Sequence, residues 1–128
     1  RLLSRGLGDV YKRQTHADTF RGAVPLTRAM RREEVEGEYE WETANVIVER
    51  FADLDPRELP AVLVRNHGPF CWGADANQAL EVAQVLEIVA EMALKTFALA
   101  PDAAPVPRHL LDRHFLRKHG DGAYYGQS

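Results

Sequence analysis

The sequence predicts a layered α/β domain, in which helices pack against a β-sheet. Two segments, residues 38–51 and 76–99, carry apolar side chains at steps of three and four, which is the periodicity of one helical face. Between them, residues 61–66 form a short β-branched run of strand length. With 128 residues, of which 45% are hydrophobic and 27% charged, the chain has the size and composition of one globular domain.

The composition also indicates which partners the protein is not expected to bind and in which compartment it is expected. A formal net charge of -3 gives no electrostatic reason to expect nucleic acid or an acidic membrane surface as a partner. The apolar stretches are interrupted well before the length that crosses a membrane. The single cysteine, Cys71, cannot form an internal disulfide, so we expect a reducing compartment and, by default, the cytoplasm.

The first fourteen residues differ in composition from the rest of the chain. In RLLSRGLGDVYKRQ the basic residues outnumber a single acid, and there is no uninterrupted apolar core of the kind that a secretory signal needs. We expect residues 1–14 to be a foreign leader, with an arginine-rich transit peptide as the alternative. The domain itself is then expected to occupy residues 15–128.

The first half of the domain is predicted to hold one edge strand and one helix. Residues 15–28 have a polar start and a short apolar run that ends at Pro25, which predicts a loop leading into a short or edge strand. A helix is predicted over residues 38–51. Its expected buried stripe consists of Ala44, Ile47, Val48, Phe51 and Leu54.

The second half is predicted to hold a buried strand and two helices. Two prolines in DPRELP precede the strand at 61–66, and the sequence HGPFCWG after it predicts a turn. Asp75 is the expected N-cap of a long helix over 76–99, and a helix over 108–118 follows a proline-rich connector. Because two strands make too narrow a sheet to cover the long helix, we expect further sheet from sequence on the amino-terminal side. The expected buried positions of the two helices are Ala79, Val82, Ala83, Leu86, Val89, Ala90, Ala93, Phe97, Leu111 and Phe115.

Four candidate functional positions stand out from the residues alone. His67 ends the predicted strand, where α/β folds place ligand sites, and it could equally be a hydrogen-bonded turn residue. Asp18 lies in a predicted loop, where a carboxylate is either solvated or catalytic. Glu40 is one of several acids near a helix amino terminus, where the helix dipole stabilises them. Tyr125, near the end of the chain, could pack locally or reach a neighbouring subunit.

Five motifs, in order, resemble the class II aldolase/adducin family: THADTFRG, GEYEWETANVIVERF, HGPFCWG, LLDRHFLRKHG and AYYGQ. They cover residues 15–127 and match the carboxyl-terminal half of the family domain. The resemblance implies a three-layer α/β/α fold, a cytoplasmic homotetramer with active sites between subunits, and a divalent metal, zinc or alternatively manganese. The pair GEYEWET and AYYGQ is expected of the family's epimerases, which invert C4 of a phosphorylated ketopentose by retro-aldol cleavage and re-addition.

The same resemblance assigns roles to five side chains. His67 matches a metal histidine whose two partners belong to a His-x-His motif that this sequence lacks. Asp18 and Tyr125 match acid/base groups that serve opposite faces of the aldehyde, Tyr125 from a neighbouring subunit. Glu40 and His114 match supporting positions of the active site. The chain on its own is therefore expected to be inactive.

One residue departs from the family pattern, and two other functions remain open within the same fold. Arg21 follows Asp18 where the family usually has an aromatic residue, so it could affect contacts to substrate or to another subunit. A sugar-phosphate aldolase that releases its aldehyde shares the fold and the metal histidine. A non-catalytic interaction module of the adducin type shares the fold without the metal chemistry.

Overall fold

The computed structural model describes residues 14–124, which combine helices with one small sheet. Along the chain the elements are α1 (Gln14–Thr19), α2 (Arg32–Glu36), α3 (Tyr39–Arg50), β1 (Ala61–Val64), β2 (Gly68–Cys71), α4 (Ala76–Leu99) and α5 (Arg108–His119). This mixed content agrees with the predicted α/β class. The three-layer arrangement remains a prediction, because the sheet in the described residues has two strands. In this part of the chain no helix combines the length and the apolar character needed to cross a membrane.

The two strands form an antiparallel hairpin. Ala61 pairs with Cys71 and Val64 with Gly68, so the strands are joined by a three-residue turn over 65–67. Asn66 has φ of 64° and Gly68 has φ of 146°, and the second value favours a residue without a Cβ atom. The hairpin corrects the prediction of a strand over 61–66 followed only by a turn, because the chain reverses after Val64 and returns as β2.

A third segment lies beside β1 on the side away from β2. Leu26 makes a parallel bridge to Leu63, whose N–H donates to the Pro25 carbonyl at 2.8 Å. The N–H of Thr27 in turn donates to the Leu63 carbonyl at 2.9 Å. The predicted edge strand ending at Pro25 is thus reduced to a single bridge one residue later. Strand β1, with a neighbour on each side, is the more buried of the two strands.

Helix α1 occupies part of the segment predicted as a loop. The residues QTHADT have weak helical propensity, and six residues are too few for a helix that is stable alone. The helix packs against α5, and Ala17 and the following Phe20 are fully buried. Tertiary packing therefore overrides a local sequence that is typical of a loop.

Helix α3 has nearly the predicted bounds but a different buried face. Its buried residues are Thr43 and Val46, whereas Val48 of the predicted stripe is 71% exposed. The Thr43 hydroxyl donates to the Tyr39 carbonyl at 2.7 Å, which satisfies its polar group inside the helix packing. On the same side, Glu49 accepts from Arg28 of the preceding segment at 3.0–3.1 Å.

The last two helices confirm the predictions made for them. Helix α4 has the predicted bounds, and the Asp75 side chain accepts from the N–H of Gln78 at 2.8 Å as an N-cap. Helix α5 ends one residue later than predicted and buries Leu111 and Phe115. The buried residues of α4 all belong to the predicted stripe: Val82, Leu86, Val89 and Ala93. A core of Phe20, Val24, Leu59, Ala61, Val82 and Leu86 joins α4 to the hairpin and to the segment after α1.

Arg21 connects three parts of the chain. Its Nε donates to Asp112 of α5 at 2.9 Å, and its Nη1 pairs with Glu58 from the loop before β1. The guanidinium also lies 5.9 Å from the centre of the Phe115 ring, within the range of a cation–π contact. Hydrogen bonding to Arg21 lowers the pKa of Asp112. Arg21 therefore holds the segment after α1 against α5, within the same chain.

Candidate active site

Asp18 sits near the carboxyl end of α1, in the contact between α1 and α5. Its carboxylate is 12% exposed and accepts from Nη2 of Arg117 at 3.0 Å and 3.1 Å, one contact to each oxygen. The backbone carbonyl of Asp18 accepts from Nε2 of His119 at 2.8 Å. Helix α5 therefore contacts both the side chain and the main chain of Asp18.

Two further side chains of α5 face the same carboxylate. Nδ1 of His114 lies 3.8 Å from Oδ1 of Asp18, and Nζ of Lys118 lies 3.9 Å from Oδ2. Both separations exceed hydrogen-bond length, but the Lys118 ammonium is close enough for electrostatic attraction to the carboxylate. We refer to Asp18, His114, Arg117 and Lys118 as the Asp18 cluster. The structure thus brings together two of the predicted site residues, Asp18 and His114, from opposite ends of the chain.

Sequence reasoning missed Arg117 and Lys118, although a signal for them was present. They follow His114 by three and four residues, which places all three on one face of a helix. Once α5 is predicted and His114 is given a site role, this spacing points to both cations. What the spacing does not supply is the partner, because the residues of α1 that meet this face are far away in sequence.

His67 lies in the turn of the hairpin and is exposed. Its ring stacks on Phe70, with ring centres 5.2 Å apart and planes inclined by 29°. The imidazole borders a cavity of about 480 Å³ whose other walls come from Val24 and Leu26, the β1–β2 hairpin and residues 86–93 of α4. A lone imidazole at an accessible cavity edge can serve as one metal ligand. Among residues 14–124 there is no group of three His, Cys, Asp or Glu side chains able to hold a metal ion.

Asp18 borders a second cavity, of about 670 Å³. Its walls include Lys118 and His119 of α5, Trp72 just after β2, and the amino-terminal half of α4. No residue lines both cavities. Asp18 and His67 therefore border separate cavities, which lie beside successive stretches of α4, residues 78–85 and residues 86–93.

The other predicted site residues are not part of either group. Glu40 lies in the first turn of α3 and is exposed, and it borders neither cavity. Tyr125 lies outside the described residues. Its neighbour Tyr124 is described, and the N–H of Tyr124 donates to the backbone carbonyl of Arg117 at 2.9 Å. The start of the terminal segment is therefore attached to the helix that carries most of the Asp18 cluster.

Cys71 does not belong to either group as a ligand. It ends β2, is half-buried, and packs against the core. Burial raises the pKa of the Cys71 thiol, which disfavours the thiolate form that metals bind. The side chain is best described as a small apolar group of the core.

Comparison with known proteins gives a family and a set of relatives. The sequence model described as "Class II Aldolase and Adducin N-terminal domain" matches residues 5–94. Proteins named L-ribulose-5-phosphate 4-epimerase UlaF from Salmonella paratyphi C (strain RKS4594), Salmonella choleraesuis (strain SC-B67) and Salmonella typhi are each 48% identical over 113 residues. Each alignment covers 88% of this chain and 50% of the relative. The chain thus spans about half the length of the curated relatives that it matches.

Proposed function

Because the chain belongs to the class II aldolase and adducin family, we propose that its full-length protein is an L-ribulose-5-phosphate 4-epimerase. The reaction would interconvert L-ribulose 5-phosphate and D-xylulose 5-phosphate. The observation that carries the proposal is the position of Asp18, which borders a cavity and lies 3.8 Å from His114, in a chain 48% identical over 113 residues to enzymes of that name. Both residues are positions that the motifs single out independently of their contact.

The proposed role of Asp18 is acid/base chemistry at the C4 hydroxyl. In the cleavage direction the carboxylate takes the hydroxyl proton, the C3–C4 bond breaks, and its electron pair stays with the three-carbon ketose fragment. The released aldehyde rotates about its own axis and is attacked on its other face. Its oxygen then points the opposite way, so a second group must return the proton. We assign that role to Tyr125 from a neighbouring subunit of a homotetramer.

Supporting roles are proposed for the side chains that surround the carboxylate. Lys118 places a positive charge 3.9 Å from the Asp18 carboxylate, and His114 lies 3.8 Å from it on the same helix. Glu40, exposed on α3, is proposed to act at a site shared with another subunit, since it borders neither cavity of its own chain. We place the protein in the cytoplasm.

His67 is proposed as one ligand of a divalent metal, zinc in the first instance. The remaining ligands would come from sequence outside this chain, because the described residues supply no complete set. When bound, the metal would act as a Lewis acid that stabilises negative charge on the oxygens of the ketose fragment. The exposed imidazole at a cavity edge fits that task.

The test is turnover by the full-length protein. We expect the protein to convert L-ribulose 5-phosphate to D-xylulose 5-phosphate, a conversion that ³¹P NMR can follow. The Asp18→Asn substitution should slow this conversion by about 10²–10⁴-fold. Asp121→Asn, the same substitution at an exposed position after α5, should leave the rate unchanged. Accumulation of glycolaldehyde phosphate without xylulose 5-phosphate would indicate an aldolase instead. Absence of turnover with zinc or manganese added would indicate a non-catalytic module.

A further inference from the structure

The residue in closest contact with the Asp18 carboxylate is one to which neither the motifs nor the comparisons give a role. One nitrogen, Nη2 of Arg117, reaches both carboxylate oxygens, at 3.0 Å and 3.1 Å. The two side chains are 14% and 12% exposed. We propose that Arg117 is a positioning residue that fixes the orientation of the Asp18 carboxylate for proton transfer, an inference that rests on the proposed epimerase function.

The contact restrains Asp18 without consuming its capacity to accept protons. A carboxylate offers about four lone-pair directions, two on each oxygen. Arg117 occupies one direction on each oxygen, which leaves the others free for a substrate hydroxyl. Charge-assisted hydrogen bonds between poorly exposed partners are stronger than neutral ones, so the direction in which the carboxylate points is held firmly. His114 and Lys118, at 3.8 Å and 3.9 Å, are too distant to do this by hydrogen bonding.

The main chain of Arg117 also bonds to the terminal segment. Its carbonyl accepts from the N–H of Tyr124 at 2.9 Å. Tyr124 directly precedes Tyr125, which is proposed to act in the active site of a neighbouring subunit. One residue of α5 is therefore bonded to Asp18 through its side chain and to the segment that leads to Tyr125 through its backbone.

The contact geometry predicts a graded set of variants. Because a single nitrogen makes both contacts, a lysine ammonium can replace it in kind, whereas methionine cannot. In the full-length enzyme we expect Arg117→Met to lower kcat by about 10- to 100-fold and to change KM by less than about threefold. Arg117→Lys should recover most of that loss. Arg113→Met is the matched control, since Arg113 lies one turn earlier on α5, is exposed, and has no ion pair to residues 16–124.

A double-mutant cycle separates positioning from general damage to the fold. If Arg117 acts through Asp18, the Arg117→Met substitution should have little further effect once Asp18 is replaced. The kcat of the double variant should then lie within about twofold of the kcat of Asp18→Asn alone. The proposal is overturned if the loss from Arg117→Met persists in full in the Asp18→Asn background, or if Arg117→Lys is as slow as Arg117→Met while remaining folded by circular dichroism. A wild-type enzyme that does not form D-xylulose 5-phosphate overturns the proposed function, and this inference with it. If the wild-type enzyme turns over normally but the losses from Asp18→Asn and Arg117→Met multiply in the double variant, only this inference is overturned.

Discussion

His16 lies two residues before Asp18 and is 1% exposed. Its Nε2 donates to the Gly22 carbonyl at 2.6 Å, which requires the proton on that nitrogen, and its ring lies against Phe20. Burial lowers the pKa of His16 from 6.5 to about 4, and the hydrogen bond to Gly22 opposes this only in part. The neutral imidazole is therefore part of the packing that holds α1 in place.

This pKa makes stability depend on pH in a defined window. The folded chain binds the His16 proton less readily than the unfolded chain does, so between pH 6.5 and about 4 the unfolded state carries more protons. The contribution of neutral His16 is complete above pH 6.5 and declines as the pH falls, by about 3 kcal/mol in all. Urea unfolding of the chain from pH 7 to pH 4 measures this slope.

Two histidine-to-glutamine variants test whether His16 causes this pH dependence of stability. His16→Gln keeps an N–H donor for Gly22 but cannot take up a proton, so the slope between pH 6.5 and 4 should flatten. His67→Gln changes an exposed imidazole and should preserve the slope. If the two variants flatten the slope equally, burial of His16 is not its cause.

At the level of elements, α3 shows that an apolar residue in a helix is not necessarily buried. Val46 and Val48 lie on the same helix and differ by two positions, but their exposed fractions are 1% and 71%. Val46→Ala removes two buried methyl groups and should lower the free energy of unfolding by about 1–2 kcal/mol. Val48→Ala should leave it almost unchanged, although the predicted stripe included Val48. Thermal unfolding of both variants checks the difference, and equal losses would contradict the assigned face of α3.

The same contrast explains which elements the sequence predicts. Helix α4 is long, continuously periodic and capped by Asp75, so local information determines both its bounds and its buried face. Helix α1 and strand β2 are short, and their stability comes from contacts with α5 and β1. In α3 the periodic residues were present, but the helix buries Thr43 and Val46 instead, and Thr43 contacts Met30 of the preceding segment. The local sequence pattern therefore predicts a long element correctly. It does not predict an element whose conformation or buried face depends on contacts with other parts of the chain.

The candidate site shows the same division. His114, Arg117 and Lys118 can be grouped from their spacing on one helix, but only folding brings that face to Asp18. No pattern within α1 indicates that its carboxylate meets a guanidinium from α5. The motifs supply the identities of Asp18 and His114, and the structure supplies their contact.

At the scale of the whole molecule, the two predicted functions of the site lie apart. His67 borders the cavity beside residues 86–93 of α4, and Asp18 borders the cavity beside residues 78–85. The two stretches adjoin at Val85 and Leu86, so the cavities follow one another along the helix. The residues proposed for proton transfer and for metal binding therefore lie in different regions of one chain, so substitutions in one region should leave the other proposed function intact.

Metal content of the full-length protein tests this separation. His67→Ala removes a proposed ligand and should weaken zinc binding more than about tenfold, because the metal loses one of its few protein donors. Tyr125→Phe should retain the metal and slow epimerisation by about 10²–10⁴-fold, because only the second proton-transfer group is lost. His109→Ala, an exposed histidine of α5, serves as the control and should change neither property. Zinc measured by atomic emission after dialysis against a weak chelator, with turnover on the same samples, distinguishes the roles, and equal metal loss in the His67 and Tyr125 variants would contradict them.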